Sequence, residues 1–130
     1  MRITSLCLSL LALMLFAAPV AMAAPAAPDG PMEFKGSKKS TIFNHKTHAA
    51  YDCKICHHDV NGKEEFGKCA TAGCHDDIQS RKPLSLYTVV HSRKELAHQT
   101  CMSCHAKIAK EQPDRKKELT GCKGSACHVS

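Results

Sequence analysis

Eight cysteines and four histidines of this chain recur in one arrangement: two thiols separated by a short loop, then a histidine directly after the second thiol. The copies are Cys53-Lys54-Ile55-Cys56-His57, Cys69-Ala70-Thr71-Ala72-Gly73-Cys74-His75, Cys101-Met102-Ser103-Cys104-His105 and Cys122-Lys123-Gly124-Ser125-Ala126-Cys127-His128. Two thiols so spaced can add to the two vinyl groups on one edge of a porphyrin. The histidine that follows then lies under the ring, within reach of an iron. CxxCH is a strong signal for covalent haem attachment. CxxxxCH alone is weak, being the same anchors with two more residues in the loop. It gains weight because every cysteine after Cys7 falls in such a pair, with histidine behind it.

Other cysteine chemistries explain less. A disulfide framework is ordinary in a small exported protein, but it gives no reason for a histidine after every second cysteine. Structural zinc uses cysteine and histidine at C-x₂₋₄-C spacings, yet each site needs four ligands and exported thiols tend to oxidise. A redox dithiol would need a thioredoxin-like βαβ pattern, which the sequence lacks.

Each attached iron would take one motif histidine, which uses His57, His75, His105 and His128 and leaves His45, His48, His58, His91 and His98. Methionine can serve as the second axial ligand and raises the potential. Met102 sits inside an attachment loop, however, and Met32 in the N-terminal arm. Two histidines at every iron, with one histidine left over, is the better reading. His45 and His48 share a face if their segment is helical, and are assigned to two different irons. His58 cannot fold back onto the iron of its neighbour His57, so it is assigned to a second one. Adjacent Cα atoms lie about 3.8 Å apart, so these two irons should stand on the order of 10–17 Å apart. Such closeness suits rapid electron hopping. With all eight axial positions filled, no iron is open to a substrate, which favours electron transfer over catalysis. The alternative is a multihaem reductase of metal ions or oxyanions, which needs an open or weakly ligated iron.

The surrounding chain must position these groups. Arg2, the apolar run from Leu6 to Phe16 and Ala21-Met22-Ala23 read as a signal peptide over residues 1–23, cleaved before Ala24. The apolar run is shorter than the ~20 residues of a membrane span, and no later segment could cross a membrane. Residues 24–130 then form a single tetrahaem domain, exported and without a free thiol. With no tryptophan, two tyrosines and four phenylalanines in the whole chain, the core is thin, and a small domain of this kind needs a cofactor to stay folded. Short strands are expected at Met32–Phe34 and Thr41–Phe43, and Asn44 should cap a short helix beginning near His45. Ser92-Arg93-Lys94-Glu95 matches a capping box and predicts a helix from Ser92 to about Gln99. Pro113 and Gly121 bracket another helix, Asp114 to Leu119. The fold class is mostly α with much irregular chain and a short N-terminal β-hairpin, a four-haem core replacing a conventional hydrophobic one. The short and long motifs alternate twice, with 11 residues between His57 and Cys69 and 16 between His105 and Cys122, which suggests two di-haem halves.

The formal charge of the whole chain is +6. Loss of Arg2 and four haems at about −1 each would bring it to roughly +1. The net charge therefore says little, and nucleic acid is a poor partner for an exported haem protein. Basic residues nevertheless crowd the last third: Lys107, Lys110, Arg115, Lys116, Lys117 and Lys123. Placed beside the fourth haem, they would steer an acidic partner there.

The chain resembles the class III tetrahaem cytochromes (cytochromes c3) of sulfate-reducing bacteria over nearly all of residues 24–130. The likeness is carried by Phe43-Asn44-His45-Lys46-Thr47-His48, by the stretch from Cys53 to His75 with its paired His57-His58, by His91 at the end of YTVVH, and by Leu119 to His128. The resemblance implies ligands position by position: His45 for the first haem, His58 for the second, His48 for the third and His91 for the fourth. His98 has no ligand counterpart there, as suits a place inside the helix expected before Cys101. The resemblance also implies a low-potential periplasmic electron carrier that is not an enzyme, and the chain is expected to be a monomer. It would shuttle electrons, with coupled protons, between hydrogenase or formate dehydrogenase and a membrane-bound redox complex in sulfate respiration. The fourth haem edge would be the docking site.

Overall fold

A computed structural model describes residues 24–94 and 98–128. The expected signal peptide and its cleavage site lie outside the described residues. Strand β1 (Met32–Phe34) pairs antiparallel with β2 (Thr41–Phe43), Met32 opposite Phe43 and Phe34 opposite Thr41, at the positions the sequence predicts. The Phe34 and Phe43 rings meet edge to face, 6.3 Å between centroids. This hairpin is tied to the far end of the chain, where the Ile42 N–H donates to the Cys127 carbonyl at 3.1 Å. Asn44 caps the 3-10 helix His45–His48 by accepting from the Lys46 N–H at 2.9 Å. A second hairpin, β3 (Asp59–Val60) with β4 (Lys63–Glu64), turns on Asn61-Gly62, both at positive φ. Asn-Gly between strands is a strong two-residue turn signal that our sequence reading passed over.

Three α-helices follow: α1 (Leu86–His91), α2 (Cys101–Glu111) and α3 (Lys116–Thr120), the last preceded by a 3-10 turn over Pro113–Arg115. The helix expected over Asp114–Leu119 is therefore present, in two pieces. The helix expected from Ser92 to Gln99 is not formed at its described residues. Ser92 closes α1 instead of opening a new helix, its N–H donating to the Thr88 carbonyl at 2.9 Å and its own backbone turning extended. Glu95, the other half of that capping match, lies outside the described residues. The capping box that forms is Thr100 with Ser103, at the head of α2. Its fourth position is serine rather than glutamate, and it overlaps the cysteine motif, so that the pattern reads as loop. Consequently the third attachment motif lies on an α-helix, whereas the first lies on the 3-10 turn Cys53–Ile55. The sequence repeat is not matched by a repeated backbone.

Among the described residues, the buried apolar side chains are Leu86, Ala109 and Leu119, one from each α-helix. Most large apolar side chains are half-buried or exposed. The interior that a chain of this length needs is supplied by something other than aliphatic packing. Buried polar contacts do part of the joining. Thr100 is only 5% exposed; its hydroxyl accepts from the Ser103 N–H at 3.0 Å and donates to the Ser92 carbonyl at 2.6 Å. One side chain thus caps α2 and fastens it to the end of α1. Thr100→Val keeps the shape and removes both bonds. It should destabilise the protein by about 1–2 kcal/mol in denaturant unfolding, with Thr100→Ser recovering most of the loss.

Candidate functional site

All nine histidines lie in the described part of the chain, and all are half-buried. Eight of them form four facing pairs. The ring centroids are 6.4 Å apart for His45 and His57, 6.1 Å for His58 and His75, 6.2 Å for His48 and His105, and 6.1 Å for His91 and His128. A metal–imidazole bond is about 2.0–2.1 Å long, so two imidazoles on opposite sides of one metal have centroids roughly 6 Å apart. Each pair could therefore hold one metal between its rings. The pairs are those that the resemblance implies, and His48–His105 and His91–His128 join remote parts of the chain.

Hydrogen bonds choose which nitrogen faces inward. A backbone carbonyl can only accept, so a ring nitrogen bonded to one must carry the proton. Nδ1–H donates to the carbonyl of Asn44 from His48, of Asp59 from His58 and of Leu84 from His75. It donates likewise to Tyr87 from His91, Leu119 from His105 and Ser40 from His128, at 2.9–3.1 Å. Nε2 is left in each ring with a lone pair for a metal, and the bond to the carbonyl holds the ring plane. Burial, then the neighbouring His57 and His48, holds His45 below the usual histidine pKa. Burial also lowers His105, against the Leu119 carbonyl, which would raise it. Both effects favour the neutral imidazole that binds metal.

Aromatic rings stand behind several of these imidazoles. Phe43 contacts both His45 (4.8 Å) and His48 (4.7 Å), and Phe66 lies 5.5 Å from His57. Tyr87 stacks on His91 at 4.2 Å, and the Arg81 guanidinium lies over the Tyr87 ring at 3.7 Å. The ninth histidine, His98, stacks on His58 at 4.4 Å. The sequence led us to expect His98 as the spare histidine inside a helix; the structure sets it in irregular chain against a ring of the site. Its distance from His58 along the chain left no local signal of that contact.

No two of the eight motif cysteines are joined to each other in the structure. Burial pushes up the thiols of Cys56, Cys69, Cys101 and Cys127. Cys101 is driven furthest, to about 12, with Cys69 and Cys56 adding to the effect. Its surface is open on one side, yet protein atoms crowd the sulfur. Before haem attachment, such thiols favour the protonated form, which disfavours bare-metal thiolate ligation. Among the described residues no three His, Cys, Asp or Glu side chains converge as a bare-metal site. Histidines in twos, each pair with a two-thiol clamp alongside in sequence, fit haem rather than a free ion.

The clamp loops differ in local backbone. In the first motif the His57 N–H closes onto the Cys53 carbonyl at 2.9 Å, a single tight turn. The two long loops each contain a glycine in the left-handed region, Gly73 at φ 83° and Gly124 at φ 67°. That reversal takes up the two extra residues, so that the His75 N–H still closes onto the carbonyl of Cys69 at 3.0 Å.

This combination of paired imidazoles, paired thiols and a nearly vacant aliphatic core defines a multihaem c-type cytochrome. The model of the class III cytochrome c family matches residues 19–128, and the chain belongs to that family. It is 44% identical over 115 residues to cytochrome c3 of Nitratidesulfovibrio vulgaris strain Hildenborough, covering 87% of this chain and 88% of that one. It is 32% identical over 103 residues to the 26 kDa cytochrome c3 of Desulfomicrobium norvegicum, covering 76% of this chain and 88% of the relative. The solved structure of cytochrome c3 from Desulfovibrio desulfuricans Essex 6 superposes with a TM-score of 0.77 at 52% identity, covering 82% of this chain and all of that one. The chain is accordingly an electron-transfer protein with four haem c groups, and not an enzyme. No described helix is long and apolar enough to cross a membrane.

A Cβ at Gly73 or Gly124 would meet nothing within 4 Å, so the only penalty of a side chain there is backbone conformation. Gly124→Ala should cost about 1–2 kcal/mol. Intact-mass analysis should show a larger fraction of chains with one haem missing.

Proposed function

We propose that the protein is a periplasmic, low-potential electron carrier whose four haems are each ligated by two histidines. The observation that carries this reading is the set of four facing imidazole pairs. The first haem would be attached to Cys53 and Cys56 and ligated by His57 and His45. The second would use Cys69 and Cys74 with His75 and His58. The third would use Cys101 and Cys104 with His105 and His48, and the fourth Cys122 and Cys127 with His128 and His91. Haem iron supplies reversible one-electron chemistry, and two imidazoles favour a low potential relative to methionine ligation. The residues hold the rings coaxial, keep Nε2 free of its proton, and leave no axial position for a substrate. That distinguishes a carrier from a reductase of metal ions or oxyanions. Residues 1–23 would direct export and be removed, leaving residues 24–130 as one domain.

Protons follow electrons by linkage. Reduction makes the surroundings of each site more negative, which raises the pKa of nearby acids. The reduced protein then binds more protons, so midpoint potentials must fall as pH rises. A spectroscopic redox titration of the holoprotein checks both halves of the reading. The ferric protein should be entirely low-spin, with potentials that decline somewhere between about pH 5 and 9. A high-spin ferric signal would overturn full histidine ligation, and flat potentials would overturn the proton coupling.

The partners we assign are hydrogenase or formate dehydrogenase on one side and a membrane-bound redox complex on the other. Lys110, Lys116, Lys117 and Lys123 are exposed around α3 and the fourth motif. Arg115 is less available, since its guanidinium is paired with Glu118 at 2.8 Å. Helix α3 runs through Gly121 into Cys122, which sets this charge beside the fourth clamp. Exposed charge acts on encounter rate more than on lifetime. Reversing Lys116 and Lys117 to glutamate should slow association with hydrogenase several-fold at low salt, leaving haem content intact. Reversing Lys63 and Lys68 is the control. Equal slowing by both pairs would reduce the effect to net charge and remove the fourth haem as the docking site.

A further inference from the structure

The four imidazole pairs are not alike in ring orientation. His45–His57, His91–His128 and His48–His105 are nearly parallel, with interplanar angles of 3°, 13° and 16°. His58–His75 is crossed at 58°. The exceptional pair is also the one whose ring is backed by the ninth histidine. His98 lies 4.4 Å from His58, with the two planes only 22° apart.

We propose that His98 is a positioning residue that fixes the plane of His58 and thereby keeps the axial ligands of the second haem crossed. The proposal rests on the ligand assignment of the preceding section. An axial imidazole can rotate about its metal–nitrogen bond, so its plane is set by whatever touches its faces and its outer nitrogen. The outer nitrogen of His58 donates to the neighbouring Asp59 carbonyl at 3.2 Å, the longest of the six bonds of this kind. Its face is covered by His98. Tyr87 offers the comparison: it stacks on His91 at 4.2 Å and 19°, and there the ligand pair it supports is nearly parallel. A neighbour stacked face to face therefore holds the ligand near its own plane, whatever that plane is, whereas the edge-on Phe43 at His45 does not.

The electronic consequence follows from orbital symmetry. Two parallel imidazoles push with their π orbitals along one direction and split the two iron orbitals that lie across the haem plane. Crossed imidazoles push along both directions and leave those orbitals close in energy. A ferric low-spin centre with close orbitals keeps more orbital momentum and shows a larger maximal g value. The second haem should thus stand apart from the other three.

Low-temperature electron paramagnetic resonance of the ferric holoprotein tests this. In the unmodified protein one of four low-spin signals should have a maximal g value above the rest. His98→Leu fills similar space without a flat face; that signal should move toward the other three, with four haems retained by mass. His98→Phe restores a flat face without ring nitrogens and should return the signal to its original place. An unmoved signal in His98→Leu, or a signal displaced equally by Leu and Phe, overturns the positioning role alone. Appearance of a high-spin signal in both variants would make His98 itself the ligand, overturning this proposal together with the assignment of His58.

Discussion

An imidazole has two nitrogens, and a pair of imidazoles can share one metal only when both inner nitrogens are bare and both rings point along one line. Six histidines here meet the first condition by giving the Nδ1 proton to a backbone carbonyl. Each such bond also aims its ring. Much of the fold can be understood as the supply of those carbonyls. The turn at Asn44 provides one for His48 and α1 provides one for His91. The end of α3 provides that of Leu119 for His105, and the segment leading into β2 that of Ser40 for His128. The last two contacts bridge long stretches of chain, so the elements that look incidental in a small irregular protein are those that orient its rings.

The cost of this design is visible in the core. Three buried apolar side chains among the described residues are too few to hold a domain of this length by aliphatic packing. Aromatic side chains are spent instead at the imidazoles, as Phe43, Phe66 and Tyr87 show. Haem would therefore have a structural as well as a redox role, its large apolar faces supplying burial that few side chains here provide. Polar contacts of the kind made by Thr100 and Ser85 then fix the ends of short helices that could not stand alone.

The same economy explains why the site is a carrier's and not a catalyst's. Imidazole faces imidazole in all four pairs; under the proposed ligation neither side of any iron would be left for a substrate, and electrons would enter and leave by the haem edges. Under that proposal, charge distribution outside the pairs would bias where a partner approaches. The lysines of α3 and the fourth motif are free to act at the surface, while Arg115 and Lys54 are held by Glu118 and Glu64.

Covalent chemistry was legible in the residues themselves. A thiol pair with histidine behind it carries its meaning within five or seven positions, and the His57-His58 doublet excludes a shared iron by bond lengths alone. The N-terminal hairpin and the cap at Asn44 were legible for the same reason, being local. Helix boundaries near the third motif were not. Ser92-x-x-Glu95 matches a cap locally, but the Ser92 N–H closes α1 and its carbonyl accepts from the Thr100 hydroxyl, a contact across eight residues. Which histidine faces which depended on tertiary structure even more, because His48 meets His105 and His91 meets His128 only after the chain has returned on itself. The angle between paired rings, and the place of His98 against His58, lie wholly at that level. Ring orientation is set by contacts on the faces of a side chain, and those contacts come from segments that sequence distance does not relate.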